Sequence, residues 1–472
     1  MSRPVLNRHV ALVGFMGAGK TTVAREVGER LGRPVFASDE VVVARAQRSI
    51  PELFADGTFR ELEEDALASL RSPIPMVFDL GGGAVLSEST RALLREHAVT
   101  VWLDVDVDTA WQRTRGTDRP LAQDEAEFRR LHDERRALYE EVADGTARDT
   151  DDVVLAAAGV HVERRAIHRL GELVPGDADA ALVSDAHVAG IHGMDAQLAL
   201  GARLSSTHEL PQGEAAKQLP ALDRLWQELR LDRTGTLVAL GGGTTTDAAG
   251  FAAATYLRGV DWVPVPTTLV AQVDAAVGGK TAIDLPQGKN LVGAFHWPVR
   301  TVVDPSLLET LPREQRIEGM AEVVKTGLLA GEPLWELPDD ELVRRCAAFK
   351  AAVCLRDPHD RAERKMLNLG HTFAHALETA AGYEHLTHGR AVALGLLAAL
   401  RLSGRDTAVV EETLRPEPAR VDLDRAWEAM QRDKKTVGGE LRLVLLDDDG
   451  PRVDVAVPAA DVRRALAGLI AK

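Results

Sequence analysis

Two textures of apolar and polar positions follow one another along this chain. Through the first third, short apolar runs are separated by longer stretches of helical spacing. HVALVGF at 9–15, MVFDLGGG at 76–83 and VTVWLDV at 99–105 have the length and flanking residues of buried strands. Strands alternating with helices predict an α/β domain with a parallel sheet. The pattern runs down in RDTDDVVLAAAG at 148–159, and an arginine-rich polar segment follows at 160–180. A boundary placed there gives a first domain over 1–160 and a second unit over 161–472. Strand-like ALVSD at 181–185 and TLVALGGG at 236–243 open the second unit. From about Pro312 the chain turns mostly helical, until LRLVLLD at 441–447. The second unit is thus predicted as an α/β part over about 161–311 and a helical part over about 312–472.

Composition adds bounds rather than elements. At 472 residues the chain exceeds what one core usually supports. A net charge of −16 argues against nucleic acid as a bulk partner. No apolar run reaches the roughly 18 residues of a membrane span, and the first residues lack a signal-peptide pattern. Two cysteines, Cys346 and Cys354, are eight apart, as on one buried helix face, and make no disulfide scaffold. A cytoplasmic protein is expected.

Candidate chemistry begins at GFMGAGKT over 14–21, behind the strand HVALV. It fits the P-loop pattern. Gly17, Ala18, Gly19, Lys20, Thr21 and Thr22 would cradle the phosphates of ATP, with the Lys20 ammonium on the β- and γ-phosphates and the Thr21 hydroxyl on Mg²⁺. Next in order come Asp39 in VFASDEVV, Arg60 in FRELEE, Gly82 in DLGGGAV, Arg119 in DRPLA, and Arg135 and Tyr139 in ERRALY. This ordered set resembles shikimate kinase over residues 8–155. The resemblance implies that Asp39, Arg60, Gly82 and Arg135 hold shikimate and that Arg119 closes on the ATP phosphates. Arginines suit the carboxylate of such a substrate, and Asp39 its hydroxyls. One position departs from the family, whose Asp-x-Asp motif has a magnesium-assisting first aspartate. Here Ala37 stands in that place. Asp79, ending the strand MVFD in an Asp-x-x-Gly context, is expected to take over the magnesium duty.

A second set lies downstream. RKMLNLGHTFAHALE at 364–378 places His371 and His375 four apart on a predicted helix, so both rings share one face. That is a common grip on a transition metal. Before it come the glycine turn 241–243, Asp247, Arg258, Thr267, Thr268, Asp274, Lys280, Lys289, Asn290, Glu322, Lys325 and Lys350, and after it His388 in LTHGRAV. Lysines set among glycines and apolar residues suit anions. Together these residues resemble 3-dehydroquinate synthase over about 180–460. The resemblance implies a Zn²⁺ (or Co²⁺) site of Glu322, His371 and His388, which separates the two neighbouring histidines. It implies NAD⁺ contacts at Glu214, Lys217, Gly243, Asp247, Thr267, Thr268, Lys280, Lys289 and Thr310. Arg258, Asp274, Lys280, Asn290, Lys325, Lys350, Arg364, Asn368 and His375 would hold the heptulosonate phosphate. Among these, Lys325, Lys350, Arg364, Asn368 and His375 would be catalytic, as would Lys20, Asp39 and Arg119 in the kinase part. The chemistry implied is oxidation by NAD⁺, phosphate elimination, return of the hydride and ring closure, with NAD⁺ regenerated. A homodimer through this half is also implied. Departures are a shortened stretch between Glu322 and Lys350, a shortened β-rich start near 160–185, and Arg390 in place of a glutamate.

The resulting expectation is a two-activity enzyme of aromatic biosynthesis. Ala37 keeps open an alternative, an active synthase carrying a kinase-dead P-loop arm. A polyol dehydrogenase or another sugar-phosphate cyclase is the alternative for the second half.

Overall fold

The computed structural model describes residues 5–117, 120–382, 385–433 and 440–471. The chain divides into two compact units, Met1–Val160 and His161–Lys472. In the first unit five strands, β1 (His9–Val13), β2 (Val35–Ala37), β3 (Val77–Asp79), β4 (Ala98–Leu103) and β5 (Gly145–Ala147), stand in the order β2-β3-β1-β4-β5. All neighbours are parallel. Every residue of β1, β3 and β4 is buried, so they read as near-continuous apolar runs rather than as alternating ones. Parallel neighbours need crossovers, and helices supply them, beginning with Lys20–Leu31 after β1. The sheet is wound outward in both directions from β1. The turns after β1 and β3 therefore open on one crevice at the strands' carboxyl ends.

The chain passes into the second unit along a short strand, β6 (Val160–Val162). A parallel sheet of β7 (Ala180–Asp185), β8 (Leu204–Leu210), β9 (Thr236–Gly241) and β10 (Asp261–Pro266) follows, in the order β10-β9-β7-β8. An antiparallel hairpin of β11 (Lys280–Leu285) and β12 (Gly288–Phe295) leads to β13 (Thr301–Val303). Helices then dominate, including Arg313–Ala330, Asp339–Arg356, His371–Ala380 and His388–Leu402. A hairpin of β14 (Glu440–Asp447) and β15 (Gly450–Pro458) packs on them. The α/β class with a mostly helical last part is thus the one read from the sequence. Cys346 and Cys354 are buried free thiols on the helix Asp339–Arg356. Among the described residues no helix is long and apolar enough to cross a membrane.

Candidate active sites

In the first unit the P-loop bends through three glycines, Gly14, Gly17 and Gly19, at φ of 148°, 84° and 90°. L side chains rarely adopt these angles. A Cβ on Gly17 would also lie 2.7 Å from the Ala110 carbonyl oxygen. Lys20 folds over the loop, donating to the carbonyls of Gly14 at 2.9 Å and Phe15 at 3.2 Å. These oxygens occupy the ammonium that phosphates would otherwise engage. Thr21 donates to Asp79 Oδ2 at 2.6 Å, and Thr22 follows it, exposed, on the same first turn. Arg113, which the sequence patterns did not single out, donates to the carbonyl of Gly17 at 3.0 Å.

Polar side chains crowd the glycine triplet after β3. A Cβ on Gly83 would lie 2.0 Å from the Arg60 guanidinium, and one on Gly81 would lie 2.4 Å from Glu63 Oε1 and 2.9 Å from Asp39 Oδ1. Arg135 and Tyr139 both donate to the carbonyl of Gly82, at 3.2 and 2.5 Å. The structure therefore gathers Asp39, Arg60, Gly82 and Arg135 and adds Glu63. That residue pairs with Arg60. Burial raises the Glu63 carboxyl above its usual range, against the pull of Arg60. Arg119 lies outside the described residues.

In the second unit three helices converge on a metal-ligand set. Oxygen and nitrogen atoms of Glu322, His371 and His388 all lie within 4.8 Å of one another. Nε2 of each histidine is 3.4 Å from Glu322 Oε1. Close helix approach makes this possible. A Cβ on Gly389 would lie 2.4 Å from the Glu318 carbonyl oxygen, and one on Gly395 would lie 2.1 Å from that of Gly370. The outer ring nitrogens are occupied: His371 Nδ1 is 3.2 Å from the Leu369 carbonyl and His388 Nδ1 is 3.3 Å from Glu378. Such outer partners fix the tautomer that leaves Nε2 to a metal. Both Glu322 oxygens are buried with no hydrogen-bond donor aligned on them, although Lys325 lies at ion-pair distance. The set therefore fits a cation such as Zn²⁺ or Co²⁺, and three protein ligands leave a further coordination position to substrate. His375 stands beside His371, ring centroids 5.6 Å apart, but exposed and outside the ligand set.

Cations and carboxylates extend this cluster. Asp274 lies 3.5 Å from Lys325 and 2.8 Å from Lys350, whose ammonium also donates to the Asp274 carbonyl at 2.5 Å. Burial would raise the Asp274 carboxyl, but the two lysines hold it down, to about 2. Burial lowers Lys350 below the ordinary lysine range, only partly offset by Asp274. Arg364 is buried, with its guanidinium 6.0 Å from the Phe295 ring centre. Asn368 is half-buried at the end of the same turn. Lys280 pairs with Asp360 at 2.5 Å, a partner the sequence did not suggest.

A second group of expected residues includes the glycine turn after β9. Its glycines permit close approach rather than unusual angles. A Cβ on Gly241 would lie 2.6 Å from Thr245, one on Gly242 3.1 Å from Thr268, and one on Gly243 3.3 Å from Ala275 beside Asp274. The Thr267 amide bonds the Gly241 carbonyl at 2.9 Å. The helix Gly243–Thr255 points its amino end at this turn, as a pyrophosphate site requires. Lys217 donates to Asp247 at 2.7 Å and to Asn290, and lies 4.0 Å from Asp284. Lys289 donates to Glu214 at 2.7 Å. Thr310 bonds His192 at 2.8 Å and Leu307 at 3.0 Å. Arg258 is exposed on a turn at φ 69°.

Comparison with known proteins follows the same division. Residues 16–164 match the family model described as shikimate kinase. Residues 207–318 and 319–436 match the models described as 3-dehydroquinate synthase N-terminal and C-terminal. The 3-dehydroquinate synthase of Bordetella pertussis is 40% identical over 342 residues, covering 65% of this chain and 95% of that protein. That of Mycolicibacterium vanbaalenii is 44% identical over 271 residues, covering 51% and 75%. A crystal structure of 2-deoxy-scyllo-inosose synthase complexed with carbaglucose-6-phosphate, NAD⁺ and Co²⁺ is similar at TM-score 0.60 and 25% identity. It covers 66% of this chain and 96% of that one.

Proposed function

Because the chain belongs to the 3-dehydroquinate synthase family and carries a shikimate kinase domain ahead of that unit, we propose that it catalyses two reactions of aromatic biosynthesis. One is ATP-dependent 3-phosphorylation of shikimate. The other converts 3-deoxy-D-arabino-heptulosonate 7-phosphate to 3-dehydroquinate and phosphate. The observation that carries the synthase reading is the Glu322–His371–His388 set with Lys325, Asp274 and Lys350 packed beside it. When bound, NAD⁺ would take and return one hydride, and Zn²⁺ or Co²⁺ would acidify a substrate hydroxyl. Lys280, Lys350 and Arg364 offer cations for phosphate and carboxylate, and His375 offers a proton-transferring imidazole at the exposed edge. Glu214, Lys217, Asp247, Thr267, Thr268 and Lys289 line the NAD⁺ side in this reading, and family resemblance assigns Thr310 to that side and Arg258 and Asn290 to the substrate. In the kinase unit Lys20 binds phosphates, Arg60 and Arg135 hold the shikimate carboxylate, and Asp39 takes the hydroxyl proton. Two buried free thiols suit the cytoplasm. A homodimer through the synthase unit is supported by Ile191, Met194 and Leu198, exposed by 43, 65 and 73% at helical spacing.

Phosphate release from the seven-carbon substrate, with and without NAD⁺ and a chelator, tests the synthase. Release without net NADH is expected, and NADH accumulation would point instead to a dehydrogenase. Shikimate-dependent ADP release tests the kinase. Ala37 favours a second reading, an active synthase carrying a kinase-dead P-loop arm, and the absence of ADP release would select it.

A further inference from the structure

We propose that the carboxylate serving the kinase magnesium has been transposed across the sheet, from position 37 on β2 to Asp79 on β3, and that the two positions are interchangeable. This rests on the kinase reading above and deepens it. β2 and β3 are parallel neighbours in which Ala37 and Asp79 are register partners. Partners in register share a pleat phase, on strands about 4.8 Å apart, so their side chains leave the same face of the sheet. A carboxylate on either strand thus reaches the same corner of the crevice. Thr21, whose hydroxyl in a P-loop is aimed at the metal, already donates to Asp79 Oδ2 at 2.6 Å. The other oxygen of Asp79 has no partner among the described residues.

The alanine follows from the same geometry. Asp39 and Glu63 already bring two carboxylates to within 3 Å of the space over Gly81. An aspartate at 37 beside Asp79 would add a further like charge to this half-buried corner, and like charges there oppose ionisation. A side chain ending at Cβ avoids that repulsion. Ala37 reads as the complement of Asp79 rather than as a lost function.

Asp79 could instead serve only as an acceptor that fixes the helix start, and the test separates these roles. The probe is ATP binding to the full-length protein, by calorimetry, in Mg²⁺ and in EDTA. Asp79→Asn keeps an acceptor for Thr21 but removes the charge. It should forfeit about tenfold or more of the magnesium-dependent tightening and leave affinity in EDTA unchanged. Asp79→Ala combined with Ala37→Asp should recover most of that loss. Full tightening in Asp79→Asn overturns the proposal, as does a folded transposed variant no better than Asp79→Asn. Should the transposed variant not fold, Asp79→Asn alone decides. If the unsubstituted protein binds no ATP in either medium, the kinase reading fails and takes this inference with it. Tightening that survives Asp79→Asn removes only the inference.

Discussion

Nδ1 of His388 lies 3.3 Å from a carboxylate oxygen of Glu378, and Glu378 is itself buried. The contact turns Nε2 of the same ring toward Glu322. A carboxylate behind a metal-binding histidine fixes its orientation and raises its basicity. Glu378→Ala should therefore lower zinc affinity about 10–100-fold, with turnover restored at saturating zinc, whereas Glu378→Gln, which keeps an acceptor, should lose less. Competition against a calibrated chelator reads this directly, and unchanged affinity in the alanine variant would remove Glu378 from the metal site.

His371 and His375 touch ring to ring, yet only His371 joins the ligand set. His371→Ala should lose bound metal and synthase turnover together. His375→Ala should keep its metal and lose turnover by about a hundredfold or more, the scale of removing a positioned acid or base. Metal content by mass spectrometry beside phosphate release separates the two. Equal metal loss in both variants would return His375 to the ligand set.

At Gly83 the space for a methyl group is already filled by the Arg60 guanidinium, 2.0 Å from where a Cβ would stand. Gly83→Ala should push Arg60 off its seat over Phe54 and Phe59. Displacing a substrate-positioning group by about an ångström costs up to a hundredfold. The KM for shikimate should rise at least about tenfold while the KM for ATP holds. Equal rises in both would mean that the whole crevice has shifted instead.

Legibility in the sequence followed burial and contiguity. β1, β3 and β4 were readable because all their residues are buried. β8, LSSTHEL, was not, because its exposed and half-buried positions carry Ser, Thr, His and Glu, which look like loop. The β11–β12 hairpin lay hidden in a run that drew notice for its lysines. Resemblance named the candidate ligands Glu322, His371 and His388 one by one. The reason they meet, two helix contacts at Gly389 and Gly395, has no local signature. Glu63, Arg113, Glu378, Asp284 and Asp360 were passed over for a shared reason. A lone charge in a helix, strand or turn looks like solvated surface until its partner arrives from elsewhere along the chain.

His9, at the start of β1, makes the stability of the kinase unit sensitive to mild acid. The Met76 amide donates to its Nδ1 at 3.1 Å, which leaves Nε2–H to meet the carbonyls of Leu70 and Ser72, each at 3.1 Å. A second proton would break the first of these contacts. Burial holds the ring below its usual value of 6.5, Arg33 and His97 add to that, and the two carbonyls offset only part. The folded value being the lower one, the unfolded chain binds the proton first as pH falls. Stability is then complete above about pH 6.5 and declines below it, by at most about 1.4 kcal/mol per pH unit. For a unit of this size that corresponds to about 2–4 °C per kcal/mol. Calorimetry of the full chain from pH 7.5 to 5.5 should show the kinase transition, assigned by its upward shift with ATP, falling faster than in His9→Gln. Parallel slopes in the two proteins would show that His9 does not titrate with unfolding.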